Sequence, residues 1–115
     1  MRLMYQDSID ANEIEWTPAR FPGVYLKILH GSPESEASVV LRKLEPGAII
    51  PQHYHGKADE TVYVLEGDFI EEAKAQGAGH VFFAKAGFPH GPHTTSQGCV
   101  VLTVFSDKLD VHVVD

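Results

Sequence analysis

Short apolar or alternating segments recur along this chain between Gly, Pro and polar breaks, at roughly ten-residue intervals. That rhythm suits a β-sandwich or barrel and leaves no room for long helices. The expected strands are Val24–His30, Ser38–Leu44, Thr61–Leu65, His80–Ala84, Val100–Phe105 and Val111–Val114. Their breaks have local causes: Gly31-Ser32-Pro33 and Pro46-Gly47 supply turns, and Glu66-Gly67-Asp68 stands where a strand ends and a hairpin begins. Only Ile70–Gln76, rich in Glu, Ala and Lys, has the composition of a helix. At about seven residues it is marginal as an isolated helix, so a helical turn and an irregular hairpin arm both remain open.

The length of 115 residues matches one domain with one core. Residues 1–20 are expected to form an N-terminal arm that packs on the barrel, with Trp16 and Phe21 buried as core aromatics. Nine Lys and Arg against sixteen Asp and Glu give a net charge of -7, which opposes binding to a phosphate backbone, so no nucleic-acid partner is expected. Cys99 is the only cysteine; the chain has no intramolecular disulfide and no thiolate cluster for zinc. The start, MRLMYQDSIDANEIEW, carries acids where a secretory signal needs an apolar run. No stretch approaches the roughly 20 apolar residues of a membrane span. A cytoplasmic protein without membrane association is expected.

Seven histidines are many for this length, and their spacing matters more than their number. In an extended strand, side chains two apart share a face, so His53 and His55 can reach one inward point while Tyr54 turns away. Glu60 opens the next strand, where the same parity places Val62 and Val64 on its face and Thr61, Tyr63 and Leu65 on the other. A carboxylate at the head of an apolar row needs a cation or several donors to stay ionised in a barrel interior. A divalent metal meets that need. His90 follows Ala86-Gly87-Phe88-Pro89, a turn that can aim a fourth ligand from a distant part of the chain.

With these residues the chain resembles a cupin. The first cupin motif, G-x5-H-x-H-x3,4-E-x6-G, is matched by Gly47, His53, His55, Glu60 and Gly67. The second, G-x5-P-x-G-x2-H-x3-N, is matched by Gly79, Gly87 and His90, with Lys85 in place of its proline and Thr94 in place of its asparagine. Trp16-Thr17-Pro18, Pro22-Gly23-Val24, Leu44-Glu45-Pro46-Gly47-Ala48, Val64-Leu65-Glu66-Gly67 and Gly87-x2-His90-Gly91-Pro92-His93 are similar to the cupin domain of ChrR-type anti-sigma factors. The likeness runs from about Trp16 to Phe105. The helical zinc-binding domain by which such factors hold a sigma factor has no counterpart in these residues, and sigma-factor binding is not expected.

The resemblance implies an all-β double-stranded β-helix, or jelly-roll barrel, with the metal near one mouth and a homodimer as the assembly. It implies one divalent transition metal per chain on His53, His55, Glu60 and His90. Three imidazoles and a carboxylate form a borderline set that accepts zinc, iron, nickel, manganese or copper. Four protein ligands close a tetrahedral site or leave two positions open on an octahedral ion. The expected function is that of a metal-dependent enzyme of oxygenase or lyase/isomerase type acting on a small organic molecule. The alternative is a metal- and ligand-binding or sensing module without turnover.

The remaining candidates have plainer readings. His93 is assigned to a loop, with hydrogen bonding to a ligand or substitution for one as alternatives. His30, His80 and His112 are read as surface or satisfied core histidines, and Cys99 as a small buried hydrophobe. Either Arg42 or Lys43 enters the barrel, but a bulge near Pro46 would exchange their faces. Tyr54 and Tyr63 point away from the metal and suit core or subunit contacts.

Overall fold

The computed structural model describes residues 4–115, so residues 1–3 of the expected arm lie outside the described residues. After a 3-10 turn at Ala11–Glu13 come β1 (Thr17–Pro18), β2 (Val24–Gly31), β3 (Ser38–Leu44), β4 (Ile49–Ile50), β5 (His53–Tyr54) and β6 (Glu60–Gly67). They are followed by β7 (Phe69–Glu71), β8 (Lys74–Gln76), β9 (Val81–Ala84), β10 (His93–Thr94), β11 (Cys99–Phe105) and β12 (His112–Val113). One sheet runs β1-β2-β3-β11-β6-β9, a second runs β4-β10-β7-β8, and β12 pairs with β5. This is the jelly-roll arrangement, in which distant strands become neighbours: β11 lies antiparallel between β3 and β6.

Alternation along the strands decides what lies inside. On β6, Glu60, Val62 and Val64 are buried while Tyr63 and Leu65 are exposed, as the two-residue period requires. On β11, Cys99, Val101, Thr103 and Phe105 face the same interior. Val24, Leu44, Ile50, Val62, Val64, Phe69 and Val101 make the main core, with Val40, Ala58 and Phe105 forming a smaller one. The register sets Phe105 opposite Glu60, so an aromatic ring closes one side of the carboxylate's surroundings.

The expected strands are all present, with ends shifted by one or two residues. The segment with helix-like composition is a hairpin, β7–β8, turned by Glu72 and Ala73 at φ 51° and 63°. Positive φ at both central residues is the two-residue hairpin geometry that normally calls for Asn or Gly. Neither is present, which is why the turn is hidden in the sequence. Pairing of Ile70 with Thr94 on β10 holds the arm extended against its local preference.

The arm departs from expectation at Trp16. Phe21 packs against the core, but Trp16 is only partly buried and lies under the ammonium groups of Lys27 and Lys43, at 4.6 and 4.9 Å from its ring centre. A cation–π contact on the outer face holds the arm there, and Lys27 also donates to the carbonyl of Ala11 at 2.7 Å.

Candidate metal centre

The two motifs meet through their backbones. His53 and His90 form an antiparallel bridge, with His53 N–H donating to His90 O at 3.0 Å and His90 N–H donating to His53 O at 2.8 Å. Gly87 N–H donates to His55 O at 2.7 Å, and Ala86 N–H to the Asp59 carboxylate at 2.9 Å. The turn before His90 closes without the family's proline: Phe88 N–H donates to Lys85 O at 3.1 Å, and Gly87 takes φ 85°. Thr94, in place of the asparagine, is a strand residue of β10 paired with Ile49 and Ile70.

As a result His53, His55, Glu60 and His90 come together, each offering one ligand atom within 4.8 Å of all the others. His53, His55 and Glu60 are buried and His90 is nearly so. Tyr54 turns away and stacks on His112 at 4.8 Å.

Each imidazole has its Nδ1 against a backbone carbonyl: His53 on Pro51 at 2.7 Å, His55 on Asp110 at 3.0 Å, His90 on Phe88 at 3.3 Å. A carbonyl only accepts, so Nδ1 carries the proton in all three neutral rings and Nε2 keeps its lone pair. The Nε2 atoms of His55 and His90 then lie 3.0 Å from the same oxygen of Glu60, and His90 Nε2 is buried without a hydrogen-bond partner. Lone pairs that converge on a carboxylate need a cation among them. The donor set therefore fits one metal ion, with its tautomers fixed by outer hydrogen bonds in the manner of metal-binding histidines.

The charges agree with this arrangement. Burial pulls His53 down to about 4, so its ring is neutral near pH 7. Burial alone would raise the Glu60 carboxyl, but His55 and His90, which donate to it when their rings are protonated, and the charge of Arg42 hold it well below the usual carboxylate range. Of the two basic residues on β3, Arg42 acts on Glu60 electrostatically while Lys43 lies over Trp16 and Tyr25.

Beside the cluster lies a cavity of about 120 Å³. Its apolar wall is Val62, Phe69 and Phe82, and its polar groups are Glu60, His90, Glu71 and His93. His93 is thus not the loop residue expected from sequence: it sits on β10, is 9% exposed, stacks on Phe69 at 5.0 Å and is hydrogen bonded through Nδ1 to Glu71. Strand pairing of β10 with β4 and β7 gives it that fixed place. Glu71 and the carbonyl of Asp110 went unnoticed in the sequence. Inward parity along the hairpin would have signalled the first, whereas a backbone acceptor leaves no sequence signal. The other histidines are peripheral: His30 and His112 are exposed, and His80 packs on Phe82.

No functionally curated protein matches the sequence. Among solved structures, KdgF from Halomonas sp. is similar with a TM-score of 0.77 and 25% identity, over 92% of this chain and 97% of that one. An acetylacetone dioxygenase from Acinetobacter johnsonii shares the fold with a TM-score of 0.71 and 18% identity, over 100% of this chain and 80% of that one. The anti-sigma factor ChrR, in its complex with SigE from Rhodobacter sphaeroides, gives a TM-score of 0.66 and 27% identity over 83% of this chain and 50% of that one. Residues 5–108 match the family described as the ChrR cupin-like domain, and the chain belongs to that family of cupins.

Proposed function

We propose that this cupin is a metal-dependent enzyme acting on a small, largely apolar organic molecule that carries an oxygen. In this reading residues 1–115 work as one domain, and His53, His55, Glu60 and His90 hold one divalent transition metal. The observation that carries it is the coincidence of ligand cluster and cavity: Glu60 and His90 belong to both. A molecule lying on Phe69 and Phe82 is therefore delivered to the ligand group. Once bound, a divalent metal supplies Lewis acidity to a substrate oxygen and lowers the pKa of a water. The phenylalanine wall gives the substrate an apolar face to lie on, and the backbone carbonyls of Pro51, Asp110 and Phe88 hold the three rings in place.

Elemental analysis of protein purified without a chelating column tests the site. About one metal ion per chain is expected, with His53→Ala and His90→Ala each retaining far less; full retention in both variants refutes the assignment. The dioxygenase that shares this fold makes oxygen uptake by the iron(II)-loaded protein with 1,3-diketones the first activity to measure. Uptake that depends on substrate assigns the oxygenase class, and its absence directs the reading to lyase or isomerase chemistry.

The same reading takes the protein as a cytoplasmic homodimer. Tyr63, Leu65, Val81, Phe83 and Val104 are all exposed on the outer face of the six-stranded sheet, and the register places Val81 beside Tyr63 and Phe83 beside Thr61. An uncharged apolar patch on a chain of net charge -7 is self-complementary about a two-fold axis. Light scattering should give twice the chain mass, and Tyr63→Lys should give a monomer.

A further inference from the structure

The cavity has a second polar corner that the ligand cluster does not use. Glu71 and His93 come from β7 and β10, and their side chains are only 20% and 11% exposed. Nδ1 of His93 is held by one oxygen of Glu71, and the other oxygen accepts the N–H of Gly91 at 3.2 Å. Phe69, itself buried, stacks on the imidazole with the two planes 29° apart and fixes the ring. The Asp68 cluster makes a useful contrast. Its oxygens accept from Thr95, Ser96 and Gln97, and its hydrogen bonds serve the loop they close. The Glu71–His93 pair lines a cavity instead.

Because Glu71 only accepts, its partner Nδ1 carries the proton and the neutral ring presents Nε2 as an acceptor. An acceptor in a largely apolar cavity recognises a donor. We propose that His93, oriented by Glu71, is a specificity-determining subsite that selects ligands bearing a hydroxyl or enol group, in a molecule about one ring in size. This rests on the reading of the neighbouring cluster as a metal site. The ring centre of His93 is 5.3 Å from that of His90 and 5.7 Å from that of His53, which places the selected hydroxyl close to the oxygen directed at the cluster. The size limit follows from the volume: an apolar cavity of roughly 150 Å³ holds benzene, and this one measures about 120 Å³ with an open mouth.

The pair also makes the preference reversible. In Glu71→Gln the amide oxygen stays with the N–H of Gly91 and the amide nitrogen faces Nδ1 of His93. A donor there forces the ring to its other tautomer, and Nε2 becomes a donor that favours an ether or carbonyl over a hydroxyl. A purely structural role for the pair predicts no such change in ligand preference.

The test uses catechol and its monomethyl ether, guaiacol, titrated calorimetrically without oxygen at pH 8 into the zinc-loaded full-length protein. The ratio of their affinities is compared among wild type, His93→Phe and Glu71→Gln, each with its zinc content measured first. Wild type should bind catechol, and the catechol-to-guaiacol ratio should fall about tenfold or more in both variants at unchanged zinc content, furthest in Glu71→Gln. Absence of catechol binding to zinc-loaded wild type, or an unchanged ratio in Glu71→Gln, overturns the subsite. Failure of wild type to take up zinc overturns instead the metal-site reading on which it rests.

Discussion

Replacing Glu60 with Gln should have opposite effects on the metal-free and metal-loaded protein. Glu60 is 6% exposed, and one of its oxygens lies 3.0 Å from Nε2 of both His55 and His90. The Nδ1 atoms of these two rings are committed to the carbonyls of Asp110 and Phe88, so in alkaline solution, once both rings are neutral, two lone pairs face a carboxylate. A glutamine amide in the same place points its two N–H groups at those lone pairs. Each new hydrogen bond contributes about 1 kcal/mol, so metal-free Glu60→Gln should melt roughly 5–10 °C above wild type in the presence of a chelator. With metal the sign reverses, because the site loses its only anion. Changes at residues that merely orient metal ligands cost about 10–100-fold in affinity, and loss of a direct ligand should reach at least the upper figure. A 100-fold loss removes about 2.7 kcal/mol of ligand-linked stabilisation, or roughly 10 °C of the melting shift caused by saturating zinc. Differential scanning fluorimetry with chelator and with zinc reads both effects. A variant that melts lower than wild type without metal and keeps the full zinc-induced shift would refute the lone-pair argument and the role given to Glu60.

Two further perturbations test other parts of the structure. Gly47 and Gly67 both take positive φ, 83° and 81°, but a Cβ at Gly47 meets nothing within 4 Å while one at Gly67 comes within 2.0 Å of Gly98 O. Gly47→Ala should therefore cost only the left-handed backbone term of about 1 kcal/mol, whereas Gly67→Ala should cost clearly more in chemical denaturation; equal losses would contradict the packing of β6 against the loop before β11. For pH, burial depresses His53 to about 4 from 6.5, so the unfolded chain takes up that proton first as pH falls. Metal-free protein should thus lose stability progressively from about pH 6.5 towards 4, and His53→Asn should flatten that part of the urea-midpoint profile.

Three members of the candidate ligand group were legible in the sequence through local periodicity. His53 and His55 share a face through a two-residue spacing, and Glu60 stands at the head of the Val62–Val64 row on the buried side of β6. His90 needed more. Its place depends on the bridge to His53, a contact between segments 37 residues apart that no local pattern encodes; only the motif resemblance supplied it. The same division explains why β7–β8 stayed open in the sequence between a helical turn and a hairpin arm. Helix-like composition is a local signal, and pairing with β10 overrode it.

The meeting of His93 with Glu71 lies on the non-local side of this division. Their meeting requires the Ile70–Thr94 register, the turn at Glu72–Ala73 and the stacking of Phe69, none of which leaves a periodic trace. The carbonyl of Asp110 is a stronger case, because any residue at that position supplies the same acceptor to His55. What local sequence specifies best is therefore the group that would hold a metal. What would distinguish one ligand from another depends on register and strand pairing. Chains alike in the histidine motif can accordingly differ in chemistry through residues outside the ligand group, and the β7–β10 pairing is where such differences should be sought in this one.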